Sequence, residues 1–213
     1  MSYCEFSLPE AKKRFHLVTE ETSDFFTGVE EVPVSLLLTE LLAENIPLAL
    51  AIHTQKARSE LIVAPVLVEL RKLCKRRISL FSGSDFVVDP KLGLVGTVDF
   101  IISRSTEQLY ITAPVVTLVE AKRDSIKDGL GQCIATMVAA QLFNQRENNE
   151  ITVVYGVVTT GSIWQALRLE GQTVWIDQRE YYIEQTGKIL AVLLKMVGVP
   201  VATLPPAPAS APR

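Results

Sequence analysis

The run ITVVYGVVTTG, residues 151–161, constrains the fold more than any other stretch, because it is apolar at nearly every position where a half-exposed strand would alternate. A continuous apolar run of this kind marks a strand buried on both faces. The expected architecture is therefore α/β, with a mixed central sheet flanked by helices. Composition permits it: 48% of residues are apolar and 21% charged, enough for a sizeable core and too little charge for wholesale disorder.

The rest of the 213-residue chain arranges itself around that strand. Residues 1–30 mix charge with scattered aromatics (Phe15, Phe25, Phe26). From Val34 the pattern is helical, with SLLLTELLAEN stopped at Asn45 by Ile46-Pro47, and a link PLALAI follows. A second helix is predicted over 56–75, kinked or split near Ala64 by Pro65. The runs ISLFSGSDFVVD and GLVGTVDFIISR read as an antiparallel hairpin, and TLVEAK ends a third strand. Residues 126–146 return to helical spacing, with Ser125 and Asp128 placed for a capping box. Short strands near 166–169 and 173–176 and a closing helix over 183–197 complete the predicted domain. The organisation expected is an N-terminal helical arm (1–55), an α/β domain (56–200) and a disordered Pro/Ala-rich tail (201–213).

Several function classes fall away. Cys4, Cys74 and Cys133 are widely spaced, and His16 and His53 are the only histidines, so a structural zinc site is not expected. The thiols read as core filler and the two histidines as bystanders. No apolar run approaches a membrane span, and the start lacks a signal-peptide stretch, so a cytoplasmic protein without a membrane partner is expected. Gly129-Leu130-Gly131 begins a dinucleotide-like pattern, but Ile134 stands where the third glycine belongs. There is no P-loop and no nucleophile elbow.

What remains is a set of carboxylates with a lysine. Phosphodiester hydrolysis needs an activated water and a partner for charge developing on phosphorus, and a divalent cation held by two or three acids supplies both. Glu120 and Lys122 stand two apart in a predicted strand and so point to one face. Asp99 lies in the preceding strand, within reach of the same ion. Lys122 could then orient or deprotonate the water. The plainer alternatives are a polar pair at a strand end for Glu120 and Lys122, and a turn cap for Asp99.

The order helix, hairpin with Asp99, strand with Glu120-Ala121-Lys122, helix, strand resembles the PD-(D/E)xK nucleases. Val98-Asp99 stands where that family usually has Pro-Asp. The likeness covers roughly residues 56–160 and implies a restriction-endonuclease-like αβββαβ core, with Mg²⁺ (or Mn²⁺) as cofactor and DNA as substrate. It further implies a metal-site glutamate on the first core helix, Glu60 in preference to Glu69, and a supporting glutamine, Gln132. Glu60, Glu69 and Gln132 could equally be solvated helix residues, and the basic cluster 72–77 a solvated helix end. A net charge of −3 and a pI near 5.5 give no global attraction to nucleic acid. A non-catalytic binding or assembly module is the rival reading, and a homodimer is left open. Side chains of Asp99 and Glu120 on opposite faces of the sheet would end the nuclease reading.

Overall fold

The computed structural model describes residues 2–22 and 25–198. The predicted proline-rich tail lies outside them. Seven strands form one mixed sheet: β1 (Val18–Thr22), β2 (Ser79–Asp85), β3 (Thr97–Ser103), β4 (Val115–Ala121), β5 (Val153–Thr159), β6 (Ile163–Glu170) and β7 (Thr173–Tyr182). Their order is β1-β7-β6-β5-β4-β3-β2. The β1/β7 and β4/β5 pairs are parallel and the others antiparallel. The apolar run 151–161 supplies β5, in the middle of the sheet.

Helices cover both faces. On one lie α2 (Leu36–Ile52), the four-residue α3 (Gln55–Arg58), α4 (Ala64–Leu73) and α6 (Thr186–Val197). Their buried residues, among them Val66, Leu70, Leu190 and Leu194, share a core with Phe100, Val119 and Trp164 of the sheet. On the other face lie α1 (Leu8–Phe15) and the 20-residue α5 (Lys127–Arg146). There Cys133, Ile134 and Met137 pack on Ile101, Leu118 and Val158. Cys74 and Cys133 are core filler as expected, whereas Cys4 is exposed.

The segment read as an N-terminal arm is woven into both layers. Its first residues pack on α5, β1 extends the sheet beside β7, and α2 closes the opposite face. β1 carries the polar sequence VTEET, which gives no alternating apolar signal.

Two helix expectations need correction. Pro47 does not stop α2, which runs on to Ile52 and ends at His53 in a left-handed cap. A proline inside a helix costs roughly 3 kcal/mol, and Leu38, Leu42 and Ala49 hold this one by burial. Ser125 and Asp128 form no capping box either, since the N-cap of α5 is Ile126, which supplies no side-chain cap. By contrast, the disturbance foreseen at Pro65 is present. A π-helical turn, Ser59–Val63, joins α3 to α4 just before the proline. Pro65 has no N–H for the carbonyl of Leu61, four residues back, and Asn45 Nδ2 donates to that oxygen at 2.9 Å.

Among the described residues no helix is long and apolar enough to cross a membrane.

Candidate functional site

The β3/β4 register brings the first two acids together. Phe100 pairs with Val119, so the next step along the antiparallel ladder sets Asp99 beside Glu120, both facing α5. Asp99 Oδ2 accepts a hydrogen bond from the Ala121 amide at 2.8 Å, which fixes the carboxylate at the end of β4. Lys122 lies one residue past β4, and its backbone N–H still donates to Thr159 O of β5 at 2.7 Å. Its side chain therefore leaves the sheet on the same face as Glu120.

The lysine is held from two directions. Its Nζ donates to Gln132 Oε1 of α5 at 2.9 Å and lies 2.9 Å from Glu120 Oε1. The approach to Glu120 falls outside hydrogen-bond geometry, and neither carboxylate oxygen of that buried side chain has a hydrogen-bond donor. Glu120 is 2% exposed. Burial pushes its pKa up to about 8, the neighbouring Asp99 adds to the rise, and Lys122 offsets only part of it. A buried carboxylate without donors normally costs stability. Positions that keep such a group are candidates for function.

Close packing supports the arrangement. A Cβ on Gly129 of α5 would stand 2.5 Å from Val158 Cγ1 and 3.1 Å from Lys122 Cγ, so glycine is what lets the helix approach Lys122. A Cβ on Gly131 would meet Phe6 O at 2.3 Å, so the second glycine admits the N-terminal segment. The glycine pair once weighed as a nucleotide signature is thus explained by packing on both sides of α5.

Four of the five predicted site residues come together: Asp99, Glu120, Lys122 and Gln132. Glu60 does not join them. It sits on the π-helical turn in the opposite layer, exposed, with its carboxylate 3.4 Å from Lys56 Nζ. Its proposed place as a third metal ligand is corrected accordingly. Glu69 does not replace it; buried on α4, it pairs with Lys72 Nζ at 3.3 Å. Among the described residues no three His, Cys, Asp or Glu side chains gather where they could hold an ion. Two residues of the basic stretch serve the helix end: Arg71, in the last turn of α4, donates Nε to Ile78 O, and Arg77, just after it, donates Nε to Cys74 O.

The site opens onto a polar cleft of about 350 Å³ that sequence reasoning missed, bounded by His53, Thr54, Lys122, Asp124 and Asp128. His53 Nε2 lies 3.4 Å from Asp124 Oδ1, so this histidine is part of the cleft wall. The Asp124 carboxyl is held below its usual range chiefly by a hydrogen bond from Arg123, with the charges of Arg123, His53 and Arg58 adding to it. Arg58, 8% exposed, donates through Nη1 to Thr160 O at 2.9 Å and so pins the β5–β6 turn next to Lys122. Neither residue has a local sequence signal, because α2 and α3 reach the cleft only through the tertiary fold.

The donor set suits a hard divalent cation. Magnesium takes oxygen ligands, is content with one or two carboxylates, and keeps several waters. A carboxylate pair with one member buried and lacking donors fits that chemistry. The sequence matches no family model and no curated protein.

Proposed function

We propose that this chain is a divalent-metal-dependent phosphodiesterase acting on DNA, built on a restriction-endonuclease-like core with a PD-(D/E)xK residue set. One observation carries the reading: Asp99, Glu120 and Lys122 converge on one face, with the Glu120 carboxylate buried and its oxygens lacking donors. The run α4, β2, β3, β4, α5, β5 follows the expected αβββαβ order and supports it.

The division of labour follows from position. Asp99 and Glu120 would hold Mg²⁺ or Mn²⁺, which when bound supplies charge stabilisation at phosphorus and acidifies a water. Lys122, steadied by Gln132, orients that water and meets the charge developing in the transition state. Gln132 gives the ammonium a neutral acceptor at 2.9 Å, the same distance at which it stands from Glu120 Oε1. The cleft at His53 and Thr54 gives the phosphate backbone access.

The test is nicking of plasmid DNA with Mn²⁺. Wild-type protein is expected to bind the ion and cut, and Asp99→Ala to lose both. A double Asp99/Glu120 alanine variant that cuts at the wild-type rate would refute the assignment, as would wild-type protein that binds no divalent ion.

A second reading, a non-catalytic binding or assembly module, draws on the net charge of −3 and on the Lys122–Glu120 pairing inside the site. Calorimetric titration with Mn²⁺ separates the two, since a module without a working site has no need of the metal.

A further inference from the structure

α2 is apolar around more of its circumference than one buried face requires. It packs on the domain through Leu38, Leu42 and Ala49. Leu36, Leu37, Leu41, Leu48, Leu50 and Ile52 of the same helix are exposed. No other helix or strand among the described residues exposes more than one large apolar side chain, so this is a patch and not scatter. A helix apolar on all sides is normally covered on all sides. The only charges on α2 are Glu40 and Glu44, and it carries no cation. Neither an anionic membrane surface nor nucleic acid suits such a face, because both are drawn to basic residues.

Four of the exposed side chains form a seam. With 3.6 residues per turn, Leu37, Leu41, Leu48 and Ile52 fall within about 60° of one another and about a quarter turn from the buried line. Leu50 lies on the opposite flank. The seam residues are 69, 41, 51 and 49% exposed, so the stripe is open along its whole length. Their spacing of four, seven and four residues reads the same in either direction. Two copies laid antiparallel, about a two-fold axis between residues 44 and 45, therefore set Leu37 opposite Ile52 and Leu41 opposite Leu48. Each of these contacts occurs twice, as an isologous interface demands. Antiparallel pairing also brings each helix N-terminus to the partner's C-terminus, which the helix dipoles favour. Glu44 lies at the edge of the seam beside the axis, and the like charge of the two copies there keeps the pairing reversible. A 17-residue helix is about 26 Å long and about 10 Å across. Two such flanks remove on the order of 1,000 Å² from water, the low end of specific interfaces.

We propose that α2 is the interface of a reversible two-fold dimer of this chain, closed by the seam Leu37, Leu41, Leu48 and Ile52. The contact uses the same stripe on both copies and leaves neither free, so assembly stops at two. Nothing in it depends on Asp99, Glu120 or a metal.

Sedimentation equilibrium of the full chain over the micromolar range is expected to show a saturable monomer–dimer equilibrium. Leu41→Glu puts a carboxylate into the seam and should weaken the dimer at least about thirtyfold, the scale of losing an interface anchor. Leu50→Glu makes the same change on the opposite flank and should leave dimerisation within about twofold. Both positions are exposed in the single chain, so neither variant should unfold, and an unchanged urea midpoint verifies it. The register is tested by oxidation in a Cys4→Ser background, the two remaining thiols being buried. Leu41→Cys and Leu48→Cys chains should cross-link when mixed and not when oxidised alone, because like positions are about 10 Å apart along the seam and beyond disulfide reach. A chain that stays monomeric overturns the proposal, as does assembly that continues past two. So does a dimer indifferent to Leu41→Glu, one weakened equally by Leu50→Glu, or a mixture that does not cross-link.

Discussion

Against the α4/α6 layer the sheet presents Phe100, Ile102, Val119 and Trp164, and the helices answer with Val66, Leu70, Leu190 and Leu194, all buried and apolar. Against α5 the same strands bury Glu120 and set Asp99 beside it, and the helix needs Gly129 and Gly131 to come close enough. Each glycine inside a helix costs roughly 1 kcal/mol relative to alanine. A buried, poorly solvated carboxylate costs more. Both layers bury charged groups, but on the α4/α6 side Glu69 pairs with Lys72 and Arg58 donates to Thr160 O, whereas on the α5 side the Glu120 oxygens have no hydrogen-bond donor.

The sharpest way to break this contrast is to titrate it. Glu120 in the folded chain holds its proton to about 8, against an ordinary value of 4.5. Below the ordinary range both folded and unfolded chains are protonated there and the stability is fully present. As pH rises, the unfolded chain ionises freely and the folded one resists, so stability is lost up to about 8. At about 1.4 kcal/mol per unit, the loss amounts to several kcal/mol. Urea denaturation in EDTA should show it in the wild type and not in Glu120→Gln. The difference between the two proteins isolates Glu120 from Asp89 and Asp124, whose lowered pKa values act in the opposite sense at acid pH. Saturating Mn²⁺ should flatten the wild-type profile, because a cation favours the ionised form. Identical profiles for the two proteins would mean that the α5 face carries no strain at Glu120.

Lys122 tests whether that strain serves a reaction. Lys122→Ala should retain Mn²⁺ binding and cleave at least about a hundredfold more slowly, the usual scale for a general base. A variant that instead loses the metal would place the lysine among the groups that organise the carboxylates. Fluorescence or calorimetric titration beside single-turnover cleavage separates the two outcomes.

How much of this was legible in the sequence follows from the length of each signal. Glu120 and Lys122 share a face because strand periodicity is two and local. Asp99 joined them because a hairpin between Ser79–Asp85 and Thr97–Ser103 was readable, and that hairpin sets the neighbouring strand. Gln132 fell into place because α5 is long and begins where its periodicity starts. Glu60 failed for a physical reason. A reading at 3.6 residues per turn assumes an unbroken helix, whereas the π turn at Ser59–Val63 shifts the facing of every side chain before Pro65. His53 and Arg58 were invisible because nothing local records that α2 and α3 end at the cleft. The pairing of β1 with β7 spans most of the chain and left no trace in the polar VTEET.

Gly129 probes the close approach directly. In Gly129→Ala the new methyl would stand 2.5 Å from Val158 Cγ1 and 3.3 Å from Lys122 Cε, so helix or strand must shift. Overpacking of this kind costs about 1–3 kcal/mol, partly offset by the better helix propensity of alanine. A fall in unfolding free energy of that order is expected, accompanied by slower cleavage as Lys122 moves off Gln132. If Gly129→Ala is as stable as wild type, the glycine is not what admits the lysine, and the packing account of α5 is wrong.

The smallest expected effect is at Glu60, and it bears most directly on the corrected site. The side chain is exposed on the opposite layer and its partner is Lys56, an i,i+4 pair on a helix surface. Exposed pairs of that kind contribute roughly 0.3–0.5 kcal/mol. Glu60→Ala should therefore change stability by about 0.5 kcal/mol or less, and leave Mn²⁺ affinity and the cleavage rate within about twofold, a difference of roughly 0.4 kcal/mol. The result discriminates because a third metal ligand would behave otherwise, weakening the ion as Asp99→Ala does. Loss of Mn²⁺ affinity in Glu60→Ala would show that the π turn can rewind and deliver the carboxylate to the cation. The two layers would then act as one site, and the contrast between them would no longer hold. Retained affinity would leave Asp99 and Glu120 as the protein's whole contribution of carboxylates, with water completing the shell, as magnesium prefers.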